Sequence, residues 1–298
     1  MSVEVREPRH EEVPALAAMM EEHALRVLGE SETSEAELRE WLVVPQLWMR
    51  IAERDGCITG YLDVVRQDES HSDVDARGLD RATAEALLGE AQAHVREAAD
   101  GVPQVLHGVA QGDDDLARGV YEDDDWQLVR SSFRMLIDLG DELSDADWPE
   151  GLTVRNARPD EAERVYEAHM DAFADHWDFR PQSFEQWRSF TIDRDDFDPS
   201  LWWLAEDGDE LAGLSLNRWH FSGDPEYGWV EVLGVRPPWR KRGLGAALLR
   251  HSFQDFRARG ATRVGLGVDA ENTTGAVRLY ERVGMRVVRR NDIYEKTL

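Results

Sequence analysis

Across residues 152–298 the apolar positions switch between the period of two that marks a strand and the three-to-four spacing of a helix face. Leu152–Asn156 predicts a short strand. Asp160 and Glu161 then open an amphipathic helix through Phe173, with acids at its positive end. Ser183 and Gln186, at capping-box spacing, start a second helix. Leu201–Glu206 and Leu211–Trp219 alternate on either side of the turn Asp207–Glu210 and read as a hairpin. Further on come a strand at Trp229–Val235, a helix at Gly243–Arg259, a strand at Arg263–Val268 and a helix at Gly275–Val283. Met285–Arg290 and Ile293–Thr297 predict two closing strands. This order is α/β.

The first half repeats the pattern. Residues 3–13 align on 152–162 at an offset of 149, pairing Val5 with Val154, Arg6 with Arg155, Arg9 with Arg158 and Glu12 with Glu161. Residues 47–60 align on 201–213, and 120–130 on 279–289, which pairs Tyr121 with Tyr280 and Glu122 with Glu281. Three matches in order predict two tandem α/β domains, 1–143 and 152–298. The polar segment 144–151, with Pro149 and Gly151, is the expected linker.

Charge narrows the function classes. The chain has 61 acidic and 34 basic residues in 298, a net charge of −27. Residues 1–149 hold 35 acids and 13 bases, so most of the excess lies there. Such a surface repels nucleic acid, whose binding depends on Lys and Arg neutralising phosphates. No apolar run is long enough to span a bilayer and the N-terminus lacks a signal arrangement, so a cytoplasmic protein with no membrane partner is expected. Cys57 stands alone, which excludes an internal disulfide and a thiolate zinc cluster; no metal is expected.

The informative stretch is 230–250, where a strand runs through Val235 and Pro237 into Arg240-Lys-Arg-Gly243-Leu-Gly245 at the mouth of a helix. Glycines there let backbone N–H groups approach an anion, and the helix start adds a positive dipole end, a setting that fits pyrophosphate. Arg236, Arg240, Lys241 and Arg242 add four local positive charges with no acid between them. The spacing is not the Gly-x-Gly-x-x-Gly of a dinucleotide fold. It resembles motif A of the GNAT superfamily of acyl-CoA-dependent N-acyltransferases, Gln/Arg-x-x-Gly-x-Gly/Ala after a Val-x-Pro strand end. Asn272 and the run from Ala276 through Leu279, Tyr280 and Gly284 to Met285 resemble that family's second motif, with Met285 in place of the common Phe.

The resemblance implies two tandem GNAT domains, each a mixed, mostly antiparallel sheet flanked by helices, in the manner of mycothiol synthase-like tandem proteins. It implies acetyl-CoA as co-substrate, bound by Leu233, Gly234, Val235, Arg240, Lys241, Arg242, Gly243, Leu244, Gly245 and Asn272. It further implies direct attack of a primary amine on the thioester. Glu231 is then the candidate base, with its pKa raised by apolar neighbours, and Tyr280 the candidate acid. His176, Trp177, Trp219 and His220 are the candidate residues for a small-molecule amine acceptor. In the first half, aligning residues 77–80 on 242–245 puts Asp80 in place of the second glycine, so that half is expected to be degenerate and to serve structurally. A covalent repeat supplies within one chain the pairing that single-repeat relatives achieve as dimers, so a monomer is expected. The alternative is a non-catalytic acyl-CoA-binding sensor or scaffold.

Overall fold

The computed structural model describes residues 3–44, 47–140, 143–177, 179–272 and 275–298. In the first half the elements are β1 (Glu4–Arg6), α1 (Val13–Leu28), α2 (Glu35–Trp41), β2 (Leu47–Arg54), β3 (Cys57–Arg66), β4 (His71–Gly78), α3 (Arg81–Ala98), β5 (Val105–Ala110), α4 (Asp115–Asp123) and β6 (Gln127–Asp138). In the second they are β7 (Thr153–Asn156), α5 (Ala162–Phe173), α6 (Phe184–Thr191), β8 (Trp203–Asp207), β9 (Glu210–Arg218), β10 (Tyr227–Val235), α7 (Leu244–Arg259), β11 (Arg263–Asp269), α8 (Ala276–Arg282) and β12 (Arg286–Thr297). Ser34 with Glu37, and Ser183 with Gln186, close reciprocal capping boxes at α2 and α6. Among the described residues no helix is long and apolar enough to cross a membrane.

Two compact units result, Met1–Ser132 with Arg289–Leu298, and Phe133–Val288. This division differs from the sequence repeat at both ends. The two closing strands read from the sequence are one strand, β12, and its residues Asp292–Thr297 pair antiparallel with Ala110–Val105 of β5 in the first unit. That pairing is reinforced where Tyr294 stacks on Tyr121 at 5.1 Å and the Lys296 ammonium reaches Asp124 at 2.8 Å. The first unit therefore completes its sheet with the last residues of the chain. The expected linker is held in place in the second unit, where the Gln254 amide donates to Asp145 at 3.0 Å and Trp148 packs edge-on to His251.

In the first unit the strands run β1-β2-β3-β4-β5-β12, antiparallel except for β4 with β5. In the second, β7-β8-β9-β10 is antiparallel and β10 runs parallel to β11. The core of the second unit gathers Trp187, Trp202, Leu204, Leu214, Phe253, Phe256 and Val264, all buried. Burial of this aromatic and branched surface between sheet and helices is what fixes α5 and α7 against β9 and β10.

Candidate active site

Two strands that part company create the site. Parallel pairing of β10 with β11 runs from Tyr227 opposite Arg263 to Val230 opposite Leu266 and then stops. Beyond it β10 continues to Val235 along β9, and β11 continues to Asp269, so among the described residues one edge of Leu233–Val235 is left without a ladder partner. A cavity of about 900 Å3 opens there, lined by Glu231, Leu233, Val235, Gly267, Val268 and Asp269 from the strands and by Tyr280 from α8. Its size is that of a pocket for a substantial organic ligand.

The start of α7 forms one end. Lys241 and Gly243 adopt left-handed backbone, φ +63° and +88°, and Gly243 precedes the helix without a side-chain cap. The first bond of the turn runs from the Ala247 N–H to the Gly243 carbonyl at 3.1 Å. The N–H groups ahead of it have no intrahelical acceptor and sit at the positive end of the dipole beside the cavity. Gly245 is required for closeness rather than conformation, since a methyl there would lie 3.1 Å from Leu279 Cδ2 of α8. An uncapped helix start, a left-handed turn and an unpaired strand edge in one cavity fit a pyrophosphate with an extended amide-bearing tail.

The local positive charge is smaller than the sequence implied. Asp171 and Asp175, four apart on and just beyond α5, take Arg236 at 2.6 Å and Arg240 in a bidentate pair. Arg240 also donates to the carbonyls of Val235 and Ala172, each at 3.0 Å. Its guanidinium thus fastens the strand end to α5, with four of its five N–H donors already taken. Lys241 remains exposed at the mouth, whereas Arg242, also exposed, stands outside the cavity lining, 4.0 Å from Asp207. Asn272 lines the cavity while its side-chain oxygen accepts from the Ala276 N–H at 3.4 Å, capping α8.

Glu231 is the extra residue of a β-bulge, because Val230 faces Asn217 and Val232 faces Leu216. It lines the cavity, but its side chain is 45% exposed and the Arg218 guanidinium lies 3.7 Å away. The apolar enclosure expected from its neighbours is absent, because the bulge turns the residue out of the alternation that buries Val230 and Val232. Tyr280 is 7% exposed, and burial pushes its hydroxyl up to about 12, which keeps the proton on at neutral pH. His176 lines the cavity, half-buried. Burial lowers its pKa, with Asp175 opposing that shift.

The other expected acceptor residues lie elsewhere. Trp177 is exposed and outside the cavity lining, Trp219 stacks on Phe256 of α7 at 5.6 Å, and His220 is exposed in left-handed backbone after β9. Phe173, Trp239, Arg250 and Arg282 line the cavity although the sequence motifs did not mark them. The complementary i, i+4 spacing of Asp171/Asp175 and Arg236/Arg240 was a readable signal for the ties that shape this mouth.

The first unit repeats the scaffold and fills it differently. Its parallel pairing also stops early, at Val74 opposite Gly108. From there β4 reaches Gly78, opposite Gly60, without a bulge, whereas β10 takes one residue more to reach Val235, opposite Gly213. No counterpart of Glu231 therefore exists. Methyls on Gly60 and Gly213 would meet Thr83 and Leu87 in one unit and Leu244 and Leu248 in the other. By that packing Ala84, not Asp80, stands where Gly245 stands, which corrects the alignment drawn from sequence. Asp80 caps α3 instead, accepting from the Thr83 N–H at 3.0 Å and from Arg54 at 2.8 Å. Arg77 stands at the place of Gly234, buried between Asp75 at 2.6 Å and Glu32 at 3.1 Å.

The model of the acetyltransferase (GNAT) family matches residues 162–285. The mycothiol acetyltransferase of Thermobispora bispora is 35% identical over 168 residues, covering 52% of this chain and 54% of that protein, so the match spans about half the relative's length. That of Stackebrandtia nassauensis is 30% identical over 254 residues, 80% of this chain and 79% of that one. Among solved structures, the GCN5-related N-acetyltransferase from Sphaerobacter thermophilus superposes with a TM-score of 0.81 at 28% identity, covering 99% of this chain and 95% of that one. A tandem GNAT protein from the clavulanic acid biosynthesis pathway shares the fold, with a TM-score of 0.75 at 14% identity over 99% and 98% of the two chains. The chain belongs to the GNAT family of acetyltransferases.

Proposed function

We propose that the chain transfers an acetyl group from acetyl-CoA to the primary amine of a small molecule, and that residues 152–288 carry the reaction. The observation that supports this most is the coincidence, in one cavity, of the uncapped α7 start, the unpaired β10 edge, Glu231 and Tyr280. Backbone N–H groups from Lys241 to Ala246 hold the pyrophosphate, and the free edge of Leu233–Val235 bonds the pantetheine arm and polarises the thioester carbonyl. Glu231, open to solvent on its bulge, takes the proton from the ammonium through a water. The amine nitrogen then bonds to the acyl carbon as the carbon–sulfur bond breaks, Tyr280 gives its proton to the departing thiolate, and the second nitrogen proton leaves the nascent amide to restore the tyrosine hydroxyl.

The first unit is a repeat that has lost cofactor binding, since Asp80 already satisfies the helix start and the bulge is missing. Acceptors for a first screen include a cysteinyl pseudodisaccharide, because the relatives above are named mycothiol acetyltransferases, with polyamines, amino acids and aminoglycosides beside it. Thiol release from acetyl-CoA, followed with this panel and the full chain, tests the reading. Amine-dependent release is expected. Binding of acetyl-CoA without turnover of any amine would favour a sensor, and absence of binding would sink the reading altogether.

A further inference from the structure

Acids outnumber bases almost two to one in this chain, and its basic side chains are correspondingly engaged. Arg155 holds Glu161 and Glu206, Arg236 holds Asp171, Arg240 holds Asp175 and Arg259 holds Asp255. Among the described residues, Lys241, Arg250, Arg278 and Arg282 make no hydrogen bond and no ion pair with the protein. Three of these four line the cavity. The Arg250 Nε is buried from solvent and has no acceptor, a costly arrangement for a charged group unless a ligand completes it.

Their placement separates two anion positions. Lys241 stands beside the helix start, where the pyrophosphate belongs. Arg250 lies six residues beyond Leu244, about 9 Å along the axis at 1.5 Å per residue, and shares its helix face with Ala246. Across from it Leu279, Arg282 and Val283 line the cavity from α8 and the turn that ends it, and the close approach at Gly245 brings the two helices together. The cavity thus has an uncommitted arginine on each of these two helices, and Arg278 is exposed on α8.

We propose that Arg250 and Arg282 form a second anion site that grips the 3′-phosphate of the donor's adenosine, so that the protein selects coenzyme A over its dephospho form. The inference rests on the acyl-CoA reading above and names a part of that ligand. Guanidinium forks suit a phosphomonoester, offering paired N–H donors to two oxygens at once. A pyrophosphate seated on the α7 start is too short to reach both positions, which leaves the third phosphate of the donor for Arg250 and Arg282.

Calorimetric titration of the full chain with CoA and with dephospho-CoA tests this. Wild type is expected to bind CoA about tenfold to a hundredfold more tightly, the range of a charge-assisted contact or two. Arg250→Ala and Arg282→Ala should each lower CoA affinity about tenfold and leave dephospho-CoA affinity unchanged, with Arg250→Lys recovering part of the loss. Equal affinity of wild type for the two ligands would overturn the proposal and leave the acyl-CoA reading standing. Variants that weaken both ligands equally would also overturn it, since the arginines would then act on the fold. Failure to bind either ligand would defeat the acyl-CoA reading itself.

Discussion

The Asp80 carboxylate accepts a hydrogen bond from the Thr83 N–H at 3.0 Å, filling with a side chain the position that α7 leaves open after Gly243. A carboxylate already placed there both satisfies the orphan N–H and repels an incoming phosphate. Calorimetry should therefore give one acetyl-CoA site per chain. Asp80→Gly should not create a second, because Arg77 and the missing bulge remain, and it should cost only about a few tenths of a kcal/mol through the lost cap, glycine being tolerated at that position. Two sites in the wild type would show that the first unit still binds cofactor.

Glu231→Gln removes the proposed base without changing shape and touches no part of the α7 cradle. A fall in kcat of about a hundredfold or more is expected, within the range for general-base catalysis, with acetyl-CoA affinity held within about twofold. Tyr280→Phe should lower kcat about tenfold to a hundredfold. Because burial holds the Tyr280 hydroxyl near 12, its proton is present throughout the neutral and mildly alkaline range. The wild-type pH–rate profile should thus show no alkaline fall attributable to Tyr280 below about pH 11. A fall near pH 9 that disappears in Tyr280→Phe would refute that assignment.

The cradle was legible because its requirements are local: glycines at 243 and 245, a strand before them and a helix after are all written within a few residues. Tyr280 and Asn272 were reached through a second short motif. What escaped was set by partners far along the chain. Arg240 read as a phosphate ligand until Asp175 and the Ala172 carbonyl claimed it, and Glu231 read as buried because a bulge leaves no mark on alternation. Trp219 and His220 were placed at the acceptor side by the hairpin they end, yet packing on Phe256 turns the tryptophan away. The unit boundary was hidden for the same reason, since only the ladder of β12 with β5 shows where the last strand belongs.

The bidentate pair of Asp175 with Arg240 joins the end of α5, where Phe173 and His176 line the cavity, to the loop that opens α7. Asp175 is about half exposed, so the pair is solvent-screened and worth no more than about 1 kcal/mol. Asp175→Asn should raise KM for the amine by up to about fivefold while acetyl-CoA affinity changes by less than twofold. Steady-state kinetics with each substrate varied in turn will show it. An equal rise in both constants would mean that the pair shapes the cofactor loop instead.

The identities that first revealed the repeat turn out to be a structural ion cluster built twice. Arg6 holds Glu12 and Glu53 in the first unit, and Arg155 holds Glu161 and Glu206 in the second, with Arg9 and Arg158 as the corresponding outer partners of Glu12 and Glu161. Each cluster ties the first strand of its unit to the turn that opens the first helix and to the next strand. In the second unit the Arg155 hydrogen bond lowers the Glu161 carboxyl from 4.5 to about 2, against the opposing effect of its burial. A carboxylate whose pKa is depressed by folding contributes stability that is complete above its unfolded value and is lost as pH falls towards its folded value. Glu161→Gln should accordingly lower unfolding free energy by roughly 2–3 kcal/mol at pH 7, and the difference from wild type should shrink between about pH 4.5 and pH 2. Urea unfolding of both proteins across that range decides the matter: a difference that stays constant down to pH 2 would mean that the loss comes from packing and that the ion cluster contributes little.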